Sequence, residues 1–261
     1  MKTRRSLFRF ATLAAISASL VAGCGPATPQ ALVASAKEYL AKNDRSAAVV
    51  QLKTALQKDP DNAEARFLLG KALLETGDVV SAQKELQKAG ELKYPADQIA
   101  PALARAVFIA SGPDKVIADF ANAPTASPEA RADLQTTLGQ AYSNKENVDA
   151  ALAAFAAAKA AVPGYPPALL GEARLKIGQG DVPGATALVE AAIARSPNFV
   201  DAWQLKGDLL AAQGRTDDAL AAYRKALMSS VFTDRDSCTL RSSAALLPST
   251  VYSLGSGTPF G

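Results

Sequence analysis

The chain has 261 residues, of which 49% are hydrophobic and 20% charged, a composition typical of a folded body with a hydrophobic core. It contains no histidine, which excludes Ser-His-Asp and Cys-His catalysis and histidine-ligated metal sites. The formal net charge is +3, but four basic residues lie in the first 23 positions; without them, 28 Lys and Arg fall to 24 against 25 Asp and Glu. No net positive field then remains to bind nucleic acid.

The amino terminus has the features of a secretory signal. Four basic residues between positions 2 and 9 precede an apolar stretch, 10–23, that is shorter than the roughly 20 residues of a spanning helix. The stretch ends in Leu20-Val21-Ala22-Gly23-Cys24, which resembles the bacterial lipobox. We predict a lipoprotein signal peptide over 1–23, lipidation (diacylglycerol and palmitate) at Cys24, and a short linker over 24–28.

An ordinary cleaved signal peptide with an incidental cysteine is the alternative. If Cys24 is lipidated, its acyl chains would hold the protein on a bilayer. By analogy with lipoproteins of two-membraned bacteria, Gly25 after the cysteine favours the outer membrane, with the protein facing the periplasm. Cys238, the second cysteine of the chain, is predicted to be a free thiol.

Five alanines recur along the chain at nearly one interval. Each has a large residue four positions later and a second alanine seven positions later, and successive members are 34, 69, 34 and 34 residues apart: Ala48, Ala82, Ala151, Ala185 and Ala219. A period of about 34 is that of the tetratricopeptide helix-turn-helix unit. The pattern therefore predicts an all-α fold, a right-handed α-solenoid of about six repeats over residues 29–228.

The repeat boundaries follow from this register. They are 29–62, 63–95, 96–131, 132–165, 166–199 and 200–228. The third unit is degenerate, with helices expected over 102–110 and 116–121, and an interdomain connector is its alternative. Residues 229–261 lack a helical period and are predicted to form an irregular tail.

Glycine and proline occupy the positions of each unit where helices should approach, turn or end. Gly70, Gly139 and Gly207 lie on first helices, twelve residues before an alanine on the second helix, and should let the two helices approach closely. The turn inside a unit is predicted at Gly77, Gly180 and Gly214, where positive φ costs glycine little. The second helix is predicted to end at Pro60, Pro163 and Pro197.

Three stretches go beyond the general repeat pattern. They read LVASAKEYLA at 32–41, QLKTALQKDP at 51–60 and NAEARFLLGK at 62–71. Together with the lipobox they resemble the start of the tetratricopeptide lipoprotein of the PEP-CTERM/exosortase system, over residues 1–228. The resemblance implies an envelope scaffold that acts beside exosortase sorting and exopolysaccharide export. The chain departs from that family by stopping after six units with an unrelated tail.

The first helix of each unit is predicted to form the concave face of the solenoid, where such arrays bind peptides. The candidate groove residues are Val33, Lys37, Phe67, Lys71, Leu74, Gln140, Leu170, Arg174, Gln204 and Asp208. Phe67 and Leu170 are the strongest candidates for contact with a partner. The alternative is that these positions are solvated faces and packing between units. The Lys and Asn pair with which some chaperone-binding units grip a terminal carboxylate has no match here.

These features favour a binding protein over an enzyme. The sequence offers no phosphate-binding loop and no pair of carboxylates outside amphipathic patterning. We expect protein or peptide partners of the cell envelope and membrane attachment through lipid, with no metal, cofactor, nucleic acid or small-molecule substrate. The leading hypothesis is a lipid-anchored periplasmic scaffold for exosortase-linked sorting and exopolysaccharide export. The alternatives are a pilus or outer-membrane assembly lipoprotein and a non-catalytic part of a cell-wall or glycan enzyme.

Overall fold

A computed structural model describes residues 27–235, with side chains up to residue 229. The predicted signal peptide, Cys24 and Cys238 lie outside these residues. The described part of the chain contains helices and no strand. The helices are α1 (Pro29–Ala41), α2 (Arg45–Lys58), α3 (Ala63–Glu75), α4 (Val79–Glu91), α5 (Ala96–Ser111), α6 (Pro113–Phe120), α7 (Pro128–Asn144), α8 (Val148–Ala161), α9 (Pro166–Gly178), α10 (Val182–Arg195), α11 (Val200–Ala212) and α12 (Thr216–Arg235).

The helices form six antiparallel pairs in chain order, which confirms the predicted all-α solenoid. Each first helix packs against the second helix of its own unit, and each second helix of units 1 to 5 packs against the first helix of the next unit. First helices also contact one another, α1 with α3, α3 with α5, α5 with α7 and α7 with α9. The first helices of units 1 to 5 therefore form one continuous layer.

The repeating alanines lie where the paired helices meet. Ala48, Ala82, Ala151 and Ala185 are completely buried. The glycine of the first helix accommodates the large side chain sixteen residues later, since a Cβ on Gly70 would lie 2.6 Å from Cγ of Leu86. The predicted close approach of the two helices therefore depends on the large residue as much as on the alanine.

The turn inside each unit carries a residue with positive φ. It is glycine at the three predicted positions, Gly77, Gly180 and Gly214, with φ of 86°, 79° and 75°. In the first and fourth units the same place is held by Asn43 and Glu146, with φ of 59° and 57°. The turn therefore keeps the same backbone geometry in units that lack glycine there. At Glu146 the left-handed conformation is sterically unfavourable, because this residue has a Cβ.

An acidic or amide side chain follows each of four turns and starts the second helix. Asp44, Asp78, Asn147 and Asp181 each accept a hydrogen bond from the backbone N–H three residues later, at 2.9 to 3.2 Å. Such a cap satisfies one of the free donors at a helix start and contributes about 1 kcal/mol. The caps repeat with the array, so every turn that carries one is fixed by local sequence.

Proline ends three of the second helices as predicted, two residues before Pro60, Pro163 and Pro197. The last helix differs from expectation: α12 continues to Arg235, so residues 229–235 are helical and were wrongly predicted to be irregular. No glycine or proline interrupts the sequence from Thr216 to Arg235, and nothing there stops helix propagation. No helix in the part of the chain described is long and apolar enough to cross a bilayer.

Candidate binding groove

A cavity lined by the described residues lies in the layer of first helices. Its volume is 640 Å³, within the range usual for ligand sites, and α3, α5 and α7 line it with the segment that precedes α7. The lining residues are Phe67, Lys71, Leu74, Glu75, Asp97, Gln98, Pro101, Ala102, Arg105, Ala126, Ser127, Ala130, Asp133 and Thr137. We call this cavity the central groove. It spans units 2 to 4 and is centred on the degenerate third unit.

Small side chains keep the central groove open. Ala102 on α5 and Ala130 on α7 line it where larger residues would fill it. Pro101 lies inside α5 and has no N–H, so it cannot donate to the carbonyl of Asp97 four residues earlier. The departure of the third unit from the repeat pattern therefore produces the space.

The wall formed by α3 is aromatic and carries a cation. The ring of Phe67 stacks on that of Tyr94 with centroids 4.5 Å apart and planes inclined by 21°. Nζ of Lys71 lies 5.6 Å from the centroid of Phe67, within the range of a cation–π contact. The hydroxyl of Tyr94 donates to Oε1 of Gln98 at 3.2 Å. The wall thus places part of a largely buried aromatic pair beside a positive charge.

Two of the three carboxylates that line the groove have partners. Glu75 pairs with Arg45 at 2.5 Å, and Asp133 accepts a hydrogen bond from the hydroxyl of Tyr165. Burial raises the pKa of Tyr165 well above the ordinary value for tyrosine, and the bond to Asp133 raises it further. Tyr165 thus donates throughout the neutral range, and it fixes the Asp133 carboxylate at the groove wall.

A second cavity, of 540 Å³, lies further along the same layer. It is formed by α7 and α9 with the turn before α8, and Gln140, Ser143 and Arg174 are among its lining residues. Its inner end is closed by Phe155 and Gly171. The first-helix layer therefore carries two openings in succession along the array.

The predicted groove residues divide into two groups. Phe67, Lys71 and Leu74 line the central groove, and Gln140 and Arg174 line the second cavity. Lys37, Gln204 and Asp208 are exposed on first helices without lining either cavity; Lys37 pairs with Glu64, and Asp208 accepts a hydrogen bond from Tyr223.

Val33 and Leu170 are corrections to the sequence-based prediction. Both occupy the fifth position of their unit, as does Phe67, and all three side chains are buried; Leu170 is 1% exposed and belongs to the core. Val33 and Leu170 therefore pack inside the solenoid and do not line the groove. Phe67 is also buried, yet one part of its ring borders the central groove because the cavity opens beside it.

Sequence reasoning missed several residues of the central groove. Arg105 lies 34 residues after Lys71 and could have been found by extending the register through the degenerate unit. Pro101 and Ala102 carry no periodic signal, because their contribution is the space that they leave. The bond between Tyr165 and Asp133 joins residues 32 apart, and no local pattern predicts it.

The described residues show no arrangement suited to metal chemistry. Among them, no group of three or more Asp, Glu, Cys or His side chains lies close enough to hold an ion. Every buried side-chain nitrogen or oxygen in this part of the chain has a hydrogen-bond partner. What the groove offers is an apolar surface and charges of both signs, features suited to binding a polypeptide.

Stacked helix pairs with a groove along their first helices define an α-solenoid, a class of protein that presents an extended surface to partners. Two family models described as tetratricopeptide repeat match residues 39–106 and 170–234. The chain belongs to the tetratricopeptide repeat superfamily, whose members are in general non-catalytic scaffolds for protein–protein interaction. No curated protein matches the sequence.

Solved structures share the fold. That of PilW, described as a type IV pilus biogenesis factor, is 21% identical, with a TM-score of 0.59 over 80% of this chain and 96% of PilW. The Cut9–Hcn1 structure is 14% identical and has a TM-score of 0.62, over 81% of this chain and 43% of that chain. A tetratricopeptide repeat protein from Parabacteroides merdae is 20% identical and has a TM-score of 0.51, over 77% of this chain and 79% of that chain. Likeness at these identities shows the architecture alone.

Proposed function

We propose that this protein is a scaffold that holds protein partners of the bacterial envelope in the central groove. The observation that carries the proposal is a cavity of 640 Å³ formed by the first helices of three successive units. Its apolar wall, at Phe67 and Leu74, suits side chains of a partner, and its polar groups suit a peptide backbone. A polypeptide that crosses all three units contacts more of the array than any single unit offers.

We further propose that the scaffold is lipid-anchored at Cys24 on the outer membrane and faces the periplasm. The lipobox at 20–24 and the charged start of the chain support this placement. Acylation at Cys24 would leave only a short linker before α1 begins at Pro29. The array would then sit close to the bilayer, at the place where exported proteins and polymers pass.

Within the envelope, we propose a role in exosortase-linked protein sorting and exopolysaccharide export. The stretches at 32–41, 51–60 and 62–71 support it through their resemblance to the exosortase-system lipoprotein. A role in pilus assembly is the second candidate, favoured by the similarity of fold to PilW along nearly all of that chain. Deletion of the gene separates the two: loss of exported polysaccharide with normal pili supports the first, and loss of pili supports the second.

The groove itself is tested by filling it. Ala102→Trp should block the central groove, and Ala126→Trp, at an exposed lining position, does so with less risk to folding. Ala156→Trp on the exposed face of α8 is the matched control. Full-length variants are expressed in the native cell, cross-linked and purified from the envelope fraction.

The proposal expects one set of cross-linked proteins to be lost from both groove variants and kept in the control. Unchanged thermal unfolding must accompany that loss, because an unfolded variant would lose every partner. If both groove variants are folded and retain the same partners as wild type, the groove is not the binding surface and the proposal fails.

A further inference from the structure

A column of cations runs along the first-helix layer. Lys37, Lys71, Arg105 and Arg174 occupy the same position in units 1, 2, 3 and 5, at intervals of 34, 34 and 69 residues, and all four are exposed. We call this set the cation column. The first helices of units 1 to 5 contact one another in order, so the column follows the direction in which an extended ligand would lie along the groove; in unit 4 the position is held by Gln140.

Only the first member of the column has a carboxylate partner. Nζ of Lys37 lies 2.7 Å from Glu64, at the start of the next first helix. The residue equivalent to Glu64 in the third unit is Gln98, an uncharged amide whose oxygen accepts from Tyr94. Among the described residues, Lys71, Arg105 and Arg174 form no ion pair. Among the described residues, the pair of Lys37 and Glu64 is therefore the one ion pair that a member of the cation column forms.

The acidic residues nearby are already stabilised. Glu75 forms an ion pair with Arg45. Asp133 occupies in the fourth unit the position that Glu64 has in the second, and it accepts a hydrogen bond from Tyr165. Asp97 lies in the first turn of α5, where the positive end of the helix dipole stabilises a carboxylate. Each carboxylate of the central groove therefore has a favourable neighbour, whereas the two cations that line it have no opposite charge bound to them.

We propose that the occupant of the groove is an extended acidic segment of a protein; the inference rests on the function proposed above. Its carboxylates pair with Lys71 and Arg105 in the central groove and with Arg174 in the second cavity. An apolar side chain between them packs on Phe67 where this residue borders the central groove.

The experiment compares two labelled twelve-residue peptides that differ only in charge. Both have leucine at alternate positions; the others are glutamate in one and glutamine in the other. Binding to the full-length protein is followed by fluorescence anisotropy at two salt concentrations. The test variant is Lys71→Gln/Arg105→Gln, and the matched control is Lys53→Gln/Lys84→Gln, which removes two exposed cations from second helices.

Preferential binding of the glutamate peptide, weakened by salt, supports the inference. The test variant should then lose about tenfold or more in affinity while the control stays within about twofold. Thermal unfolding should be unchanged in both, because all four substituted residues are exposed.

Other outcomes overturn the inference and distinguish it from the proposed function. If both peptides bind equally and only Ala102→Trp prevents it, the groove binds polypeptides without choosing acidic ones. If alginate, an anionic polysaccharide, binds through Lys71 and Arg105 and the glutamate peptide does not, the occupant is a glycan. If neither peptide binds and groove blocking leaves the cross-linked partners intact, the proposed function fails as well.

Discussion

The ring of Phe155 lies directly against the backbone of Gly139, so closely that a Cβ at position 139 would stand 2.5 Å from Cε1 of the ring. Gly171, on the first helix of the next unit, lies against the same ring, and a Cβ there would stand closer still to Cε1. One aromatic side chain therefore sets the distance between the two helices of the fourth unit and the distance from that unit to the fifth.

We predict that Gly139→Ala destabilises the protein by about 1 to 3 kcal/mol, because the ring is surrounded and cannot move away without disturbing a neighbour. Gly178→Ala is the control. A Cβ there would meet nothing within 4 Å, so the gain in helix propensity should leave stability equal or slightly higher. Urea unfolding followed by circular dichroism measures both, and equal stabilities for the two variants would contradict this account of the Phe155 contact.

The buried position of Leu170 gives a second prediction. Leu170→Ala should lower the free energy of unfolding by about 2 to 5 kcal/mol, because it leaves a cavity in the core. Leu152→Ala, at a residue of α8 that is 36% exposed, should cost far less. Any folded Leu170→Ala protein should bind its partner normally. A loss of binding with unchanged stability would show instead that the Leu170 side chain contacts the partner.

The sequence predicted the helices well and individual groove contacts poorly. A period of 34 fixes where each unit begins, and this was enough to place the turns and the terminating prolines. The period does not decide whether the side chain at a given position of a first helix is buried against a neighbouring helix or exposed. Val33 and Leu170 share a row with Gln204, yet only Gln204, in the last repeat, is exposed.

The central groove was beyond sequence reasoning for a related reason. Periodicity finds what recurs, and this cavity arises in the third unit, where the recurrence fails. Pro101 lacks an N–H donor and Ala102 has a small side chain, and neither feature recurs along the sequence with the period of the repeat. The Tyr165–Asp133 bond depends on how two units are placed relative to each other. The cation column, by contrast, was accessible: Arg105 follows Lys71 by one full period.

The left-handed backbone at Glu146 predicts a stabilising substitution. Glu146→Gly should raise the free energy of unfolding by about 1 kcal/mol, since glycine adopts a φ of 57° without the clash of a Cβ. Gly77→Ala, the reverse change at the equivalent turn of the second unit, should lower it by a similar amount. Differential scanning calorimetry tests both, and a lower melting temperature for Glu146→Gly would show that its side chain matters more than its backbone.

Tyr165 gives a prediction about alkaline pH. Its pKa is raised in the folded protein, chiefly by burial and then by Asp133, so the folded state holds the phenolic proton more tightly than the unfolded state. The associated stability is fully present below the ordinary tyrosine pKa, near 10, and is lost as pH rises above it. Tyr165→Phe should therefore show a shallower loss of stability between pH 9 and about 11 in urea titrations.

The same comparison with Tyr39→Phe is the control, since Tyr39 only packs at the edge of the core. If stability falls equally steeply with alkaline pH in wild type and in Tyr165→Phe, the pKa of Tyr165 is not raised in the folded protein and this account is wrong.

The lipid anchor is tested by fractionation. We predict that wild-type protein sediments with outer membranes and that Cys24→Ala appears in the periplasm or retains its signal peptide. Metabolic labelling with a palmitate analogue should mark wild type alone, and Cys238→Ala should behave like wild type. Sedimentation of Cys24→Ala without its signal peptide would show that something other than acyl chains attaches the protein.

The double contact of Phe155 restricts how the array can change length in evolution. Loss of one whole period, residues 166–199, would join the fourth unit to the sixth and bring Leu205 to the place that Gly171 now holds. The aromatic ring would then meet a leucine side chain across the new junction. Unequal crossing-over, which shortens and lengthens tandem genes, could not remove this copy without a compensating change at residue 155.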